Sequence, residues 1–395
     1  MAKISKQYLI TLVMSFLGLY LISAGVSYAV FSYIGKDTTP VAQSDLPKDA
    51  RVDLSQPKTE ECVMNGKYYT KDEKNIWETR RPIAAMIENH LDARPLSGIS
   101  KADIIYEAVA EGGITRMLNI FYCGAAAEDV EIAPVRSARI YFVNWAQEYE
   151  DPIFMHVGGA NDYAGYGDTA KDARALEYLT TIGWRVAGGN DFDTTFDSGY
   201  PVFWRNYERL DHEVATEHTM TASLDEAYKQ AEKRGFGPVN EDGEKWSDNF
   251  VAWRFVDDKV VETPEYETIS FDFWDNKPDY SVSWKYDKSK NAYLRSNGGK
   301  EFIDLTTGSQ LEAKNVVIQF VKERGPVDRN IHMLYTTTGE GKATFFNQGT
   351  VTEGTWEKIT ADSRTRFYDD KGKEVSFVRG LIWIEAIPTG NVINY

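Results

Sequence analysis

Residues 102–123 constrain the fold more than any other stretch of this 395-residue chain. From Ala102 to Glu111 the side chains alternate, with Ile105, Glu107, Val109 and Glu111 on one face and Ile104, Tyr106, Ala108 and Ala110 on the other. Gly112-Gly113 then breaks the run, and Ile114 to Cys123 forms a second one, so the pattern predicts a β-hairpin with Arg116 close to its turn. On a helix Glu107 and Glu111 would stand one turn apart and repel. On a strand they share a face about 13 Å apart at ~3.3 Å per residue. An isolated hairpin is marginal in water, so other strands must join it.

Two candidates flank it. Pro82 to Ile87 is a short apolar run of buried-strand type that ends in Glu88-Asn89-His90, and polar residues at the end of such a strand are where α/β-type sites collect. Pro152 to Val157 is a similar run leading into Gly158-Gly159. Between them Ala138, Tyr141, Phe142, Trp145, Ala146 and Tyr149 follow helical spacing, with Ser137 as the expected N-cap. Arg136 and Arg139 thus flank a helix N-terminus, a place that favours anions and disfavours cations, so something negative is expected there. Further helices are predicted over Asp168–Ile182, stopped by Gly183, and after the capping box Ser223-Leu-Asp-Glu226 up to Gly235, while 187–215 reads as aromatic loop.

From about Trp246 the runs Thr268–Phe273, Ser281–Tyr286, Val316–Phe320, Ala343–Phe346 and Leu381–Ile384 are strand-like, with turns expected at Asn297-Gly298, Gly339-Glu-Gly341, Asn347-Gln-Gly349 and Asp370-Lys-Gly372. The fold class is therefore α+β. An N-terminal α/β-type domain over 61–240, with a mixed sheet and flanking helices, precedes a mostly β C-terminal domain over 246–395.

Tyr8 to Ile34 is an apolar run long enough at ~1.5 Å per residue to cross a ~30 Å hydrocarbon core. Lys3 and Lys6 precede it, which places the N-terminus in the cytoplasm and the domains outside. Ser27-Tyr28-Ala29 would serve as a signal-peptide cleavage site, but the run continues through Val30, Phe31 and Ile34, which favours a retained signal anchor and a single-pass cell-membrane protein. Residues 1–35 are then cytoplasmic tip and transmembrane segment, and 36–60 a Pro-, Ser- and Thr-bearing linker. A net charge of -16 argues against nucleic acid as partner. Cys62 and Cys123 lie on the exported, oxidising side, where a disulfide between them is expected; neither belongs to a Cys/His spacing of a metal site, so no metal and no cofactor is expected.

The segments Arg81-Pro82-Ile83, Glu88-Asn89-His90, Ala93-Arg94-Pro95, Ala102 to Glu107, Glu111 to Arg116, Pro134 to Arg139 and His156 to Gly159 closely resemble the YerB-like lipoproteins, bacterial exported proteins built from an N-terminal and a C-terminal domain of unknown function. Gly339 to Trp356 and Phe377 to Pro388 are similar to the second of these domains. The resemblance implies no reaction. The chain departs from the lipoprotein pattern by lacking the lipid-carrying cysteine, which agrees with a transmembrane anchor in its place.

Each polar residue at these strand ends has an ordinary structural explanation, but together Arg94, Arg116, Arg136 and Arg139 outnumber the carboxylates nearby. With Asn89, Ser137 and His218 they form the candidate ligand-binding set, suited to an anionic small molecule, an envelope polymer or a protein partner. The alternatives are a cell-envelope hydrolase using Glu107, Glu111 and His156 as acid and base, and an assembly scaffold docking through aromatic loops. No catalytic motif of high specificity is present, so the sequence leaves the question of enzyme activity open.

Overall fold

The computed structural model describes residues 51–395 apart from 164, 241 and 242. The apolar run Tyr8–Ile34 and most of the linker lie outside the described residues. Among the described residues no helix is long and apolar enough to cross a membrane.

The framework is one large mixed sheet. In chain order its main strands are β1 (Ile83–Glu88), β2 (Ile104–Glu111), β3 (Ile114–Phe121), β4 (Ile153–His156), β5 (Asp191–Asp193), and then β6 (Asn315–Arg324), β7 (Gly339–Asn347), β8 (Thr350–Lys358), β9 (Arg366–Asp369) and β10 (Ile382–Pro388). Their spatial order is β9-β8-β7-β6-β10-β2-β3-β1-β4-β5. The expected hairpin β2-β3 sits in the middle, antiparallel, with β1 antiparallel to β3 and β4 and β5 parallel beyond it. Strand β10, near the C-terminus, runs parallel between β2 and β6. The sequence places a boundary near residue 240, yet the sheet runs across it without a break, because β10 satisfies the hydrogen bonds of a strand laid down almost 280 positions earlier.

Two layers cover this sheet. A helix, α1 (Ile140–Ala146), lies on one face: Trp145 stacks on Tyr106 at 5.4 Å, and the Tyr141 hydroxyl donates to the Val109 carbonyl. On the other face lies a smaller antiparallel sheet that includes Thr268–Phe271, Val282–Asp287 and Ala292–Asn297. There the Trp284 ring meets Trp383 edge to face at 5.2 Å. Strands buried on both sides read as near-continuous apolar runs, which is why Ile83–Ile87 shows no alternation.

Several local expectations are corrected. α1 begins at Ile140, with Arg139 and not Ser137 in the capping position, and it gives way to a 3-10 turn at Gln147–Tyr149. Ser137 cannot cap because its segment is held extended, the Ala138 N–H donating to the Gly158 carbonyl and the Ser137 carbonyl accepting from Arg116. The long helix expected from Asp168 is a short turn at Lys171–Ala173 followed by α2 (Ala175–Thr181). Short strands at Asp191–Asp193 and Phe203–Arg205 interrupt the aromatic loop. Gly339-Glu-Gly341 is not a turn but the start of β7, where Trp356 and Phe320 leave no room for a side chain at Gly341. The helix expected at Ser223 does form, α3 (Leu224–Lys233), with the Ser223 hydroxyl accepting from the Glu226 N–H at 3.1 Å, but the reciprocal half of the capping box does not, since the Ser223 N–H donates to the Val202 carbonyl.

Candidate functional site

The central hairpin carries a β-bulge. Val109 faces Thr115 and Glu111 faces Ile114, so Ala110 is an extra residue without a partner of its own. One inserted residue turns every following side chain to the other face. Glu107 and Glu111, expected on the same face, are therefore on opposite faces of the sheet.

Glu107 points toward the small sheet. It is fully buried and accepts from Arg295 at 2.7 Å, from Thr115 at 2.6 Å and from Asn89 at 3.1 Å. Glu385 stands beside it, since β10 and β2 pair these two residues in register. Arg295 also bonds Glu385, which in addition accepts from Trp284 at 3.0 Å. One guanidinium thus serves two dry carboxylates, and burial, reinforced by Glu107, raises the Glu385 carboxyl above its ordinary range although Arg295 opposes this. Asn89 belongs to this knot: its amide also donates to Thr115 and Asn297. Arg94 is tied to it through the Asn89 side-chain and main-chain oxygens at 2.9 and 3.1 Å and lies over the Tyr280 ring.

Glu111 points toward α1. It pairs with Arg116 at 3.2 Å and with Arg139. Two strands away Glu88, at the end of β1, lies 3.1 Å from Arg136 and 2.8 Å from the His218 Nδ1. Arg116 sits between, directly across from Glu88 in the β1-β3 register, and donates to the Ser137 carbonyl at 2.7 Å. Three guanidiniums thus meet two carboxylates and one imidazole. Burial lowers the pKa of Arg116, Arg136 and Arg139. Each also keeps a buried Nε without a hydrogen-bond acceptor; that of Arg136, though close to Glu88, is off the line of a bond. The cluster reaches the surface at Arg136, whose side chain is 26% exposed, and at Glu111, 19% exposed.

His156 stands apart from both. It is fully buried, with Nε2 2.5 Å from Asp191 and Nδ1 2.7 Å from the Gly158 carbonyl. Arg185 closes the group by bonding Asp191 and Asp193 at 2.6 and 2.8 Å. Burial opposes a charge on the ring, but the two aspartates outweigh it and raise the His156 pKa. The three residues considered for acid–base work thus occupy three separate environments.

Cys62 and Cys123 are bridged, with Cα atoms 6.1 Å apart. Beside the bridge the buried Asp103 carboxylate accepts from the N–H groups of Tyr122, Cys123 and Gly124 and from Asn65. Two hollows lie elsewhere: one of about 440 Å³ beside Asp272, Asp275 and Asn391, and one of about 300 Å³ beside Glu148, Asp362 and Arg364.

Sequence reasoning missed Arg295, Glu385 and His332. Arg295 had a signal, an arginine on the same parity as Tyr293 in an alternating strand, where burial demands a partner. His332, paired with Asp328 at 2.9 Å and bridged by its backbone to Glu111, had none.

Family models described as "Protein of unknown function (DUF3048) N-terminal domain" and its C-terminal counterpart match residues 66–237 and 269–384. A curated relative, "Putative lipoprotein YerB" of Bacillus subtilis (strain 168), is 31% identical over 320 residues, 80% of this chain and 84% of the relative. A crystal structure of the YerB protein from Bacillus subtilis superposes with a TM-score of 0.66 at 28% identity, covering 85% of this chain and all of that one. With both domains matched and such a relative spanning four fifths of its length, the chain belongs to the DUF3048 family of YerB-like proteins.

Proposed function

We propose that this chain is a membrane-attached extracytoplasmic binding protein that takes an anionic group at the cluster of Arg116, Arg136 and Arg139. The observation that carries the reading is the cation surplus: three guanidiniums against Glu88 and Glu111, with three buried Nε donors left without an acceptor. Arginine forks suit carboxylate or phosphate, and a cluster short of anions accepts one from outside at little cost. The location rests on the Tyr8–Ile34 run, on the lysines before it and on the relative's description as a lipoprotein.

The test is thermal melting of the full-length protein in sulfate or phosphate against chloride at equal ionic strength. The parent is expected to gain stability from the oxyanion specifically, and Arg136→Ala to lose that gain. An identical response in both salts would overturn the reading.

A second reading, docking of a protein neighbour, rests on the aromatic loops: Tyr163, Tyr166, Tyr200 and Tyr207 are 68%, 82%, 76% and 57% exposed. Tyrosines of that exposure are typical of contact surfaces.

A further inference from the structure

Beside the arginine cluster the chain folds two histidines from distant positions against each other. The rings of His90 and His218 stack with centroids 4.6 Å apart and planes 18° apart. Asp92 joins them, and one donor atom from each of the three residues lies within 4.8 Å of the other two.

We propose that His90, Asp92 and His218 form a binding site for one divalent transition-metal ion. Two imidazoles and a carboxylate are a donor set suited to zinc and its first-row neighbours. His218 is prepared for it: Glu88 lies 2.8 Å from Nδ1, fixing the ring's orientation and directing the Nε2 lone pair away, which is the carboxylate–histidine support that metal ligands ordinarily have. His90 brings Nδ1, 3.7 Å from the Asp92 carboxylate; its lone pair accepts the Asp92 N–H at 3.2 Å, a bond that the ion would replace. Donors around a tetrahedral ion sit about 3.3 Å apart and each imidazole holds the ion in its own ring plane, so the His90 ring has to turn out of the stack for the set to close. Rotation is available because His90 and Asp92 are at the rim, with side chains 30% and 65% exposed.

Around the site Glu88, Asp92 and Glu217 face Arg136, Arg205, Arg209 and, across from Glu88, Arg116, one positive charge more than negative, so the donor atoms and not the field must hold the ion. Three protein ligands leave a coordination position open to solvent, as in zinc sites that act on a bound water or ligand. The inference does not rest on the anion reading, since the metal alone is the probe. It also departs from the expectation of no metal: His90 and His218 are 128 positions apart, and no ligand spacing in the sequence announces them.

The test uses the full-length chain without a histidine tag, stripped with chelator and titrated with zinc chloride in a calorimeter. One equivalent is expected to bind with micromolar or tighter affinity, with His90→Ala and Asp92→Asn each weakening it about tenfold or more. Removing His218 also takes a partner from buried Glu88, so His90→Ala at the rim is the decisive variant. X-ray absorption at the zinc edge should show imidazole nitrogen in the first coordination sphere. Absence of saturable uptake, or equal affinity in the parent and in His90→Ala, would overturn the proposal.

Discussion

Two arginine–glutamate clusters occupy opposite faces of one sheet, within two residues of the same bulge, and their ratios are reversed. On the side of the small sheet, one guanidinium, Arg295, holds two carboxylates, Glu107 and Glu385, all with no exposed side-chain surface. On the helix side, Arg116, Arg136 and Arg139 surround Glu88 and Glu111, and the group opens to solvent. In a dry interior a carboxylate surplus is relieved by a proton, which needs no space, and this is the direction in which the Glu385 pKa moves. An arginine surplus has no such remedy, because guanidinium stays protonated at any pH the fold survives. It must be offset by an anion from outside or by a position at the surface. The same two residue types therefore serve cohesion on one face and, on the proposed reading, recognition on the other.

The comparison is broken most severely at Arg295. Arg295→Met strands two buried carboxylates and is expected to cost about 3–5 kcal/mol in urea unfolding, much of it recovered when Glu107→Gln and Glu385→Gln are added. On the opposite face Arg139→Met removes one of two partners of Glu111, and a loss of about 1–3 kcal/mol is expected. Arg136→Ala should cost least, on the order of 1 kcal/mol, since its side chain is part-exposed and Glu88 keeps His218. A cost for Arg136→Ala as large as that for Arg295→Met would make the helix-side cluster another piece of structural cement.

The smallest effect is a pH slope. His156 has a raised pKa in the fold, so its stabilisation is complete below the ordinary value of 6.5 and is lost as pH rises through the folded value. The raised Glu385 carboxyl acts in the same direction, its share present below the ordinary 4.5 and lost as pH rises. Melting temperature should therefore fall between about pH 6.5, the ordinary histidine value, and about 8, the value to which the Glu385 carboxyl is pushed, and less steeply in His156→Gln. A parent that gains stability over that range would contradict both shifts.

The β2-β3 hairpin was legible because alternation and a Gly-Gly break are local signals, and Gly112 and Gly113 do adopt positive φ of 56° and 85°. Its bulge was not, because an added Ala110 between Val109 and Glu111 preserves the apparent alternation while reversing the face. The Ser223 cap was legible for the same reason as the turn, since donor and acceptor lie three residues apart. Ser137 failed where a long-range contact from Arg116 outbid the local cap.

The sequence by itself determined the α+β class, most of the strands that build the sheet, the anchor expectation at Tyr8–Ile34 and the charged residues of the helix-side cluster. Each follows from periodicity, length or composition within a few neighbouring positions. The tertiary structure alone decided which charges meet: Arg295 with Glu107 across 188 positions, His218 with Glu88 across 130, and β10 with β2 across nearly the whole folded chain. Such pairings depend on register and on one bulge residue. A carboxylate's partner is fixed by which side of a strand it leaves, and a single inserted residue changes the side without changing the pattern.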